Sequence, residues 1–515
     1  MSRSTVCSTE WRPSTLPFRA PPIVPVLRQN AKMKIDESYV NRTVAFGSGR
    51  DAAYYITERP EGYIMIGPVV AQSTQPVFSL SQTNFGATRV LKANGHLDTN
   101  YGVNGKTVTT FPGLGSGTDV PVHAVPTTDG MYVLGSSQFG DPFPGNLLAS
   151  VAKLDYQGLL MSNFGSDTSG RFNGGGLFYQ DLDFRGVNDE FFGGVIDSYG
   201  RLVATGFSNP NLDVGAGPPF NFAVARIMPN GTFDPSFGTN GRVITDLLDG
   251  SDDRPNGIIL QGNKIIVGGR TKNLRMTVPP NTIPFSFALV RYNEDGSIDE
   301  TFGLYTQQRY NNLSIDKGIV INNFGTLVNP SNSMIIRLVN RPLNKFLALG
   351  RHGNNIANAA SSPTLVVQKF IAARYLETGA LDTTFGTDGI TTIGYNPGGS
   401  FNQWRLVEMH DGFVDPVTEY IYMVGRTQDG SISGQEYYNS PMVVRLTPDG
   451  VPDESFGTDL NNPGVWVLTS DETKYNNSFF RSGFVDEDGN LVVSGEAANS
   501  NTTSTDFFSM RFIPT

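Results

Sequence analysis

Four aspartates, Asp51, Asp119, Asp189 and Asp253, and three asparagines, Asn332, Asn402 and Asn477, recur along this 515-residue chain, each just ahead of a short apolar run. Carboxylate and amide oxygens gathered in one place bind a hard cation such as calcium, so the four aspartates are the candidate metal ligands. The same side chains also open turns by bonding their own backbone two residues on, which accounts for all seven positions and needs no cofactor. A second pattern places a basic residue eight positions before an aspartate. It joins Arg226 to Asp234, Arg291 to Asp299, Arg374 to Asp382 and Arg445 to Asp453, with Lys153 and Arg511 as the basic members of two further copies. A catalytic site is usually single, whereas repetition suits architecture; these pairs therefore read as arginine forks that tie a turn.

Residues that would mark an enzyme are sparse. The four histidines, His96, His123, His352 and His410, are scattered and lack a metal-ligand spacing. There is no Gly-x-Ser-x-Gly elbow and no phosphate-binding Gly-x-x-x-x-Gly-Lys-Ser/Thr. Asp486-Glu487-Asp488-Gly489-Asn490 has the start of a calcium loop, but Ala497 stands where the closing glutamate belongs, and the run reads as a hairpin turn. Cys7 is the single cysteine, which excludes an intrachain disulfide.

The elements that position these residues come in repeats. Phe233-Asp234-Pro235-Ser236-Phe237-Gly238 returns as Leu97 to Gly102, Ile298 to Gly303, Leu381 to Gly386 and Pro452 to Gly457, with a degenerate copy from Leu160 to Gly165. Self-similarity at a long period signals a repeat architecture. Each unit holds an apolar run ending in glycine (Gly67, Gly135, Gly206, Gly269, Gly350, Gly425 and Gly495), a second run, and a turn such as Asn230-Gly231 or Asp295-Gly296. Seven glycine-ending runs but six Phe-Gly motifs leave one unit a strand short. The orphan run Arg42-Thr43-Val44-Ala45-Phe46 fits the gap. The expected fold is all-β: a seven-bladed β-propeller of four-stranded blades, closed by an N-terminal strand.

The joined pattern of Asp-Gly, then Leu/Phe/Ile-Asp-x-x-Phe-Gly-x-x-Gly, then a short β run resembles the delta-60 repeat family of β-propellers over residues 40–515. Met161 replaces the aspartate in one copy and Tyr101 replaces the phenylalanine in another. The resemblance implies a propeller and carries no activity with it.

Composition narrows the function. The net charge is -10, yet residues 1–34 carry Arg3, Arg12, Arg19, Arg28, Lys32 and Lys34 against Glu10 alone, so the body is more acidic still. An acidic body argues against nucleic acid as a partner. No stretch approaches the roughly 18 apolar residues of a membrane span, and the first residues lack the apolar core of a secretory signal. Residues 1–35 read as an extended, Pro-rich N-terminal arm and residues 36–515 as the propeller. Isolated apolar side chains in the arm, Trp11, Phe18, Ile23, Val24 and Leu27 among them, are expected to dock on another protein. Loop aromatics, including Phe139, Phe143, Phe207, Phe220, Tyr437 and Tyr438, are candidates to stack on a glycan or anchor a protein partner, unless they only fill small cores within the loops. The expected function is a non-catalytic structural or interaction propeller in a larger assembly, a virion or phage particle or a surface structure reached without a signal peptide, otherwise cytoplasmic. The alternatives are a lectin-like propeller, and a hydrolase or lyase with its site at the channel mouth.

Overall fold

The computed structural model describes residues 33–39, 43–46, 49–70, 83–111, 118–138, 147–165, 175–182, 188–209, 220–248, 250–272, 285–303, 317–325, 331–355, 366–396, 405–429, 438–457, 461–468, 478–498 and 505–514. Its strands form seven antiparallel sheets, and no helix occurs among the described residues. The first six sheets take four consecutive strands each, as in blade 4, with Asp253–Gln261, Lys264–Lys272, Phe285–Tyr292 and Ile319–Asn322 in that order. The inner strands of the other blades are Tyr55–Arg59, Asp119–Pro126, Glu190–Ile196, Ser331–Asn340, Leu406–Val414 and Phe479–Val485.

Seven apolar clusters hold the ring together, one between each pair of neighbouring sheets. Both faces of every blade are thus buried, which is why the second and third strands are apolar runs rather than alternating ones. The chain is a seven-bladed β-propeller.

The closing blade departs from the sequence expectation in an instructive way. Its inner three strands, Phe479–Val485, Leu491–Ala498 and Thr505–Pro514, are completed by two N-terminal pieces. Thr43–Val44 pairs with Phe508 and Phe507, as the orphan run suggested, and Met33–Ile35 pairs with Pro514 to Phe512. The arm drawn to residue 35 therefore gives its last three residues to the blade. Between the two pieces lies Asp36-Glu37-Ser38-Tyr39, a seventh copy of the motif. Asp36 accepts bonds from the Ser38 amide and hydroxyl at 2.9 and 2.6 Å and from Arg511 Nε at 2.8 Å. Asp299 does the same for Thr301 and Arg291. Tyr39 takes the place of the motif's phenylalanine, fully buried beneath Arg511.

By strand alternation, the crossovers between blades and the loops after each second strand share one face, here the crossover face. The Phe-Gly turns lie on the opposite face. The repeat glycines shape the crossover end of the channel. A Cβ on Gly206 would lie 1.7 Å from the Glu190 carbonyl oxygen, and one on Gly350 2.0 Å from that of Met334. Only glycine allows this approach of inner and second strands. Beside each such contact in blades 2 to 7 the inner strand carries a bulge, whose extra residue is His410 in blade 6 and Arg481 in blade 7. Bulges re-aim side chains, and here they do so at the rim of a channel.

Candidate binding site at the channel mouth

The repeated Arg and Asp pairs are architectural. Arg226, Arg291, Arg374 and Arg445 each bond their aspartate at 2.6 to 2.8 Å through Nε. Most also reach the next blade: Arg226 donates to the Glu294 carbonyl, Arg291 to that of Glu377 and Arg374 to that of Pro448. Arg511 donates to the Lys92 carbonyl of blade 1, so the last fork closes the ring. Arg89 and Asp98 form a fork that the eight-residue spacing misses, and Lys153, whose blade has Met161 in place of aspartate, pairs with Asp129 instead. Burial raises Asp234 and Asp299, but their hydroxyl, amide and arginine partners outweigh it and hold both down at about 2.

The crossover aspartates occupy four different blade junctions. Asp51 accepts the amides of Phe46 and Val70, Asp119 that of Phe111, Asp189 that of Leu182, and Asp253 that of Leu247 together with the Ser251 hydroxyl. Each fastens the incoming crossover to the new blade. Burial raises Asp119 to about 7 and Asp253 to about 6. Among the described residues, no three His, Cys, Asp or Glu side chains are grouped to hold a metal. The arm residues Trp11, Phe18, Ile23, Val24 and Leu27 lie outside the described residues, as do Phe139, Phe143 and Tyr437. Phe207 and Phe220 pack on each other, 4.5 Å between ring centres, with Arg254 over both.

Within the channel, side chains from opposite sides of the ring meet. Arg337 of blade 5 bonds Asp411 of blade 6 at 2.7 Å and lies 3.3 Å from His123 Nδ1 of blade 2. Asp411 also accepts from Ser482 of blade 7, and His123 packs edge-on against Tyr55 of blade 1. From this cross-brace a cavity of about 500 Å³ runs along the inner strands, walled by Ile56, Val195, Ile259, Leu338, Val414 and Phe484.

At the crossover end the repeat breaks down. The residue after each repeat glycine occupies an equivalent backbone slot, yet the seven are Pro68, Ser136, Phe207, Arg270, Arg351, Arg426 and Glu496. Three successive arginines in these slots bridge to the following blade. Arg270 Nη1 is 3.9 Å from Met334 Sδ, Arg351 donates to the Met409 carbonyl at 2.7 Å and to Glu408 at 2.5 Å, and Arg426 stacks on Phe479. Glu408 is shared, accepting from Arg426 Nε at 2.8 Å. Arg481 makes a double bond-pair with Glu496, at 3.0 and 2.6 Å, and packs between Tyr54 and Phe479.

His410 sits at the centre of this arc. Its Nδ1 lies 3.3 Å from both Arg351 Nη2 and Arg481 Nη1. Guanidinium groups only donate, so Nδ1 accepts from both and the neutral ring carries its proton on Nε2. Burial and the surrounding Arg481, Arg351 and Arg426 push its pKa well below the ordinary value, which keeps the ring neutral. Burial raises Glu408, but Arg351 and Arg426 outweigh it and hold the carboxyl below its usual range. Across the mouth, burial pushes Glu190 up to about 7, against a bond from Ser136 and the charge of Arg254.

The forks and the crossover aspartates were legible from sequence because they repeat; the arginine arc was passed over because it does not. Its one signal was the dipeptide Gly-Arg at Gly269, Gly350 and Gly425, three units running.

A family described as "Domain of unknown function (DUF5122) beta-propeller" matches residues 200–237 and 284–302. No curated protein matches the sequence. Among solved structures the chain is similar to Drosophila Semaphorin 2a, at 9% identity over 94% of this chain and 76% of that one, TM-score 0.42. It is also similar to Drosophila Plexin A in complex with Semaphorin 1b, at 8% identity over 94% and 88%, TM-score 0.37. A Trypanosoma rangeli sialidase is similar at 7% identity over 94% and 56%, TM-score 0.34. Likenesses this distant say nothing of what this chain binds or does.

Proposed function

We propose that this chain is a non-catalytic binding propeller, an interaction component of a larger assembly such as a virion or phage particle or a surface structure. The channel mouth is its recognition surface and the N-terminal arm its tether. The observation that carries the reading is the broken repeat at the mouth, where equivalent slots hold Pro, Ser, Phe, three Arg and Glu. A scaffold needs the same residue in each slot, whereas recognition of one asymmetric partner needs different ones. The mouth is equipped to bind rather than to react: Glu408 and Glu496 are tied up by arginines, and His410 is fixed as a neutral ring.

Two variants separate the roles. Deleting residues 1–30 spares Met33–Ile35 and Thr43–Val44 and so leaves the ring closed. It is expected to abolish incorporation into the native particle; full incorporation would remove the arm, with Trp11, Phe18, Ile23, Val24 and Leu27, from the role of tether. The second, Arg351→Gln with Arg481→Gln, is expected to spare incorporation and weaken ligand capture. A second reading, a hydrolase or lyase, rests on Glu190, which its raised pKa leaves partly protonated at neutral pH as a general acid requires. Turnover of an acidic glycan that vanishes in Glu190→Gln would favour it over simple binding.

A further inference from the structure

We propose that the arc formed by Arg270, Arg351, His410 and Arg481 is an oxyanion-binding site, taking a carboxylate, sulfate or phosphate group of a ligand at the channel mouth. The inference rests on the mouth being the recognition surface and adds the chemistry of what it recognises.

The charges at the mouth do not balance. Five guanidinium groups, Arg254, Arg270, Arg351, Arg426 and Arg481, meet three carboxylates paired with them, Asp252, Glu408 and Glu496, and the unpaired Glu190, raised to about 7 near Arg254. The surplus is cationic, in a chain whose net charge is -10. An uncompensated cation withdrawn from water is costly, and a protein keeps one where a ligand supplies the counter-charge. Arg270 is that cation. Among the described residues it has no carboxylate within ion-pair distance, only the Met334 sulfur and the Phe285 ring, and its buried Nε has no acceptor. Burial first, then the neighbouring Arg254 and Arg351, lower its pKa and outweigh the opposing charge of the more distant Asp252.

Unmet hydrogen bonds point the same way. With Nδ1 of His410 accepting from two arginines, its Nε2–H is a donor, and this buried atom also lacks a partner among the described residues. Buried donors left without acceptors are rare and call for an explanation. Two of them beside surplus positive charge ask for the same thing, a group that only accepts. The arginines already handle such groups: Glu408 is shared between Arg351 and Arg426, and Glu496 is gripped twice by Arg481. Arg270, Arg351, His410 and Arg481, with the neighbouring Arg426, are held by strands of a closed ring rather than by loops, so the donors are fixed in place before a ligand arrives. Their side chains remain reachable, with Arg351, Arg426 and Arg481 each about a quarter exposed at 24, 29 and 25%.

The test is isothermal titration of the purified full-length chain with sodium glucuronate, sulfate and phosphate in turn, at constant ionic strength in a chloride background. Saturable one-to-one binding of at least one is expected, and the three arms identify which oxyanion the site prefers. Arg270→Gln is the decisive variant. Because Arg270 has no ion pair to lose, the variant should melt at or above the temperature of the parent while binding at least tenfold more weakly. Arg351→Gln should weaken binding similarly, and circular dichroism establishes that each variant is folded. No saturable binding of any of the three anions by the folded parent would overturn the proposal, as would unchanged affinity in folded Arg270→Gln. These results are independent of particle incorporation. Loss of the arm's role would leave an anion site standing, and absence of anion binding would leave an arm-tethered propeller.

Discussion

The two sets of repeated side chains, forks and crossover aspartates, fall into separate energetic classes. In the fork of blade 4 the Arg291 and Asp299 side chains are 8 and 4% exposed, and Asp299 also meets Lys264 at 3.2 Å. Removing one partner strands a buried charge, so Asp299→Ala should cost about 3–5 kcal/mol in urea unfolding. A loss under about 1 kcal/mol would mean that the pair behaves as an exposed one. The crossover aspartates Asp119 and Asp253 act with the opposite sign. Burial raises Asp119 from its ordinary value to about 7, so the folded chain holds this proton more tightly than the unfolded chain does. That contribution is complete below about pH 4 and is lost as pH rises to about 7. Relative to Asp119→Asn, the parent should therefore lose stability over this window, by on the order of 1–4 kcal/mol. A difference between the two that does not change with pH would contradict it. Sequence revealed both sets through spacing alone, since a turn or staple needs the same side chain in every unit. Burial and pKa were not legible, because they depend on the neighbouring blade.

At the scale of elements, the closing blade shows what a count of motifs can and cannot find. Seven glycine-ending runs against six Phe-Gly motifs correctly demanded a strand from the N-terminus. The motif itself went unseen at Asp36 to Tyr39, because Tyr39 replaces phenylalanine and Val40 stands where the glycine should be. The geometry survives these changes: Arg511 grips Asp36 at 2.8 and 2.5 Å, and Tyr39 bonds the Ser509 hydroxyl at 3.0 Å. Deleting residues 1–46 would strip Met33–Ile35, Thr43–Val44 and the seventh fork together, leaving Thr505–Pro514 as an unpaired edge. An unpaired apolar edge recruits other chains. The truncated protein is expected to aggregate during size-exclusion chromatography, whereas the 1–30 deletion should elute as the parent does. A soluble 1–46 deletion with unchanged melting temperature would show that the N-terminal pieces do not close the ring. Asp36→Ala should reproduce part of the defect, with a loss comparable to that of Asp299→Ala.

For the molecule as a whole, sevenfold likeness makes the scaffold, and the proposed recognition surface lies where that likeness fails. The opposite face carries versions of one turn, and among the described residues five of the turn glycines are stapled to the next blade, as when the Gly238 amide donates to the Asp295 carbonyl and the Gly303 amide to that of Thr378. The mouth is fixed by equally regular glycines and bulges, yet its side chains differ from blade to blade and leave a cationic surplus on an acidic body. The ring was legible in the sequence because its residues recur at a fixed spacing, and the arc was not because its residues occupy only part of the ring. The most direct measurement is a crystal structure of the full chain grown with the oxyanion that titration selects. The ligand's oxygens should lie within hydrogen-bond distance of Arg351, Arg481 and His410 Nε2, with Arg270 as the facing charge and the seven sheets unmoved. Ligand density elsewhere on the molecule with the arc left unoccupied would contradict the assignment of the mouth as the binding surface.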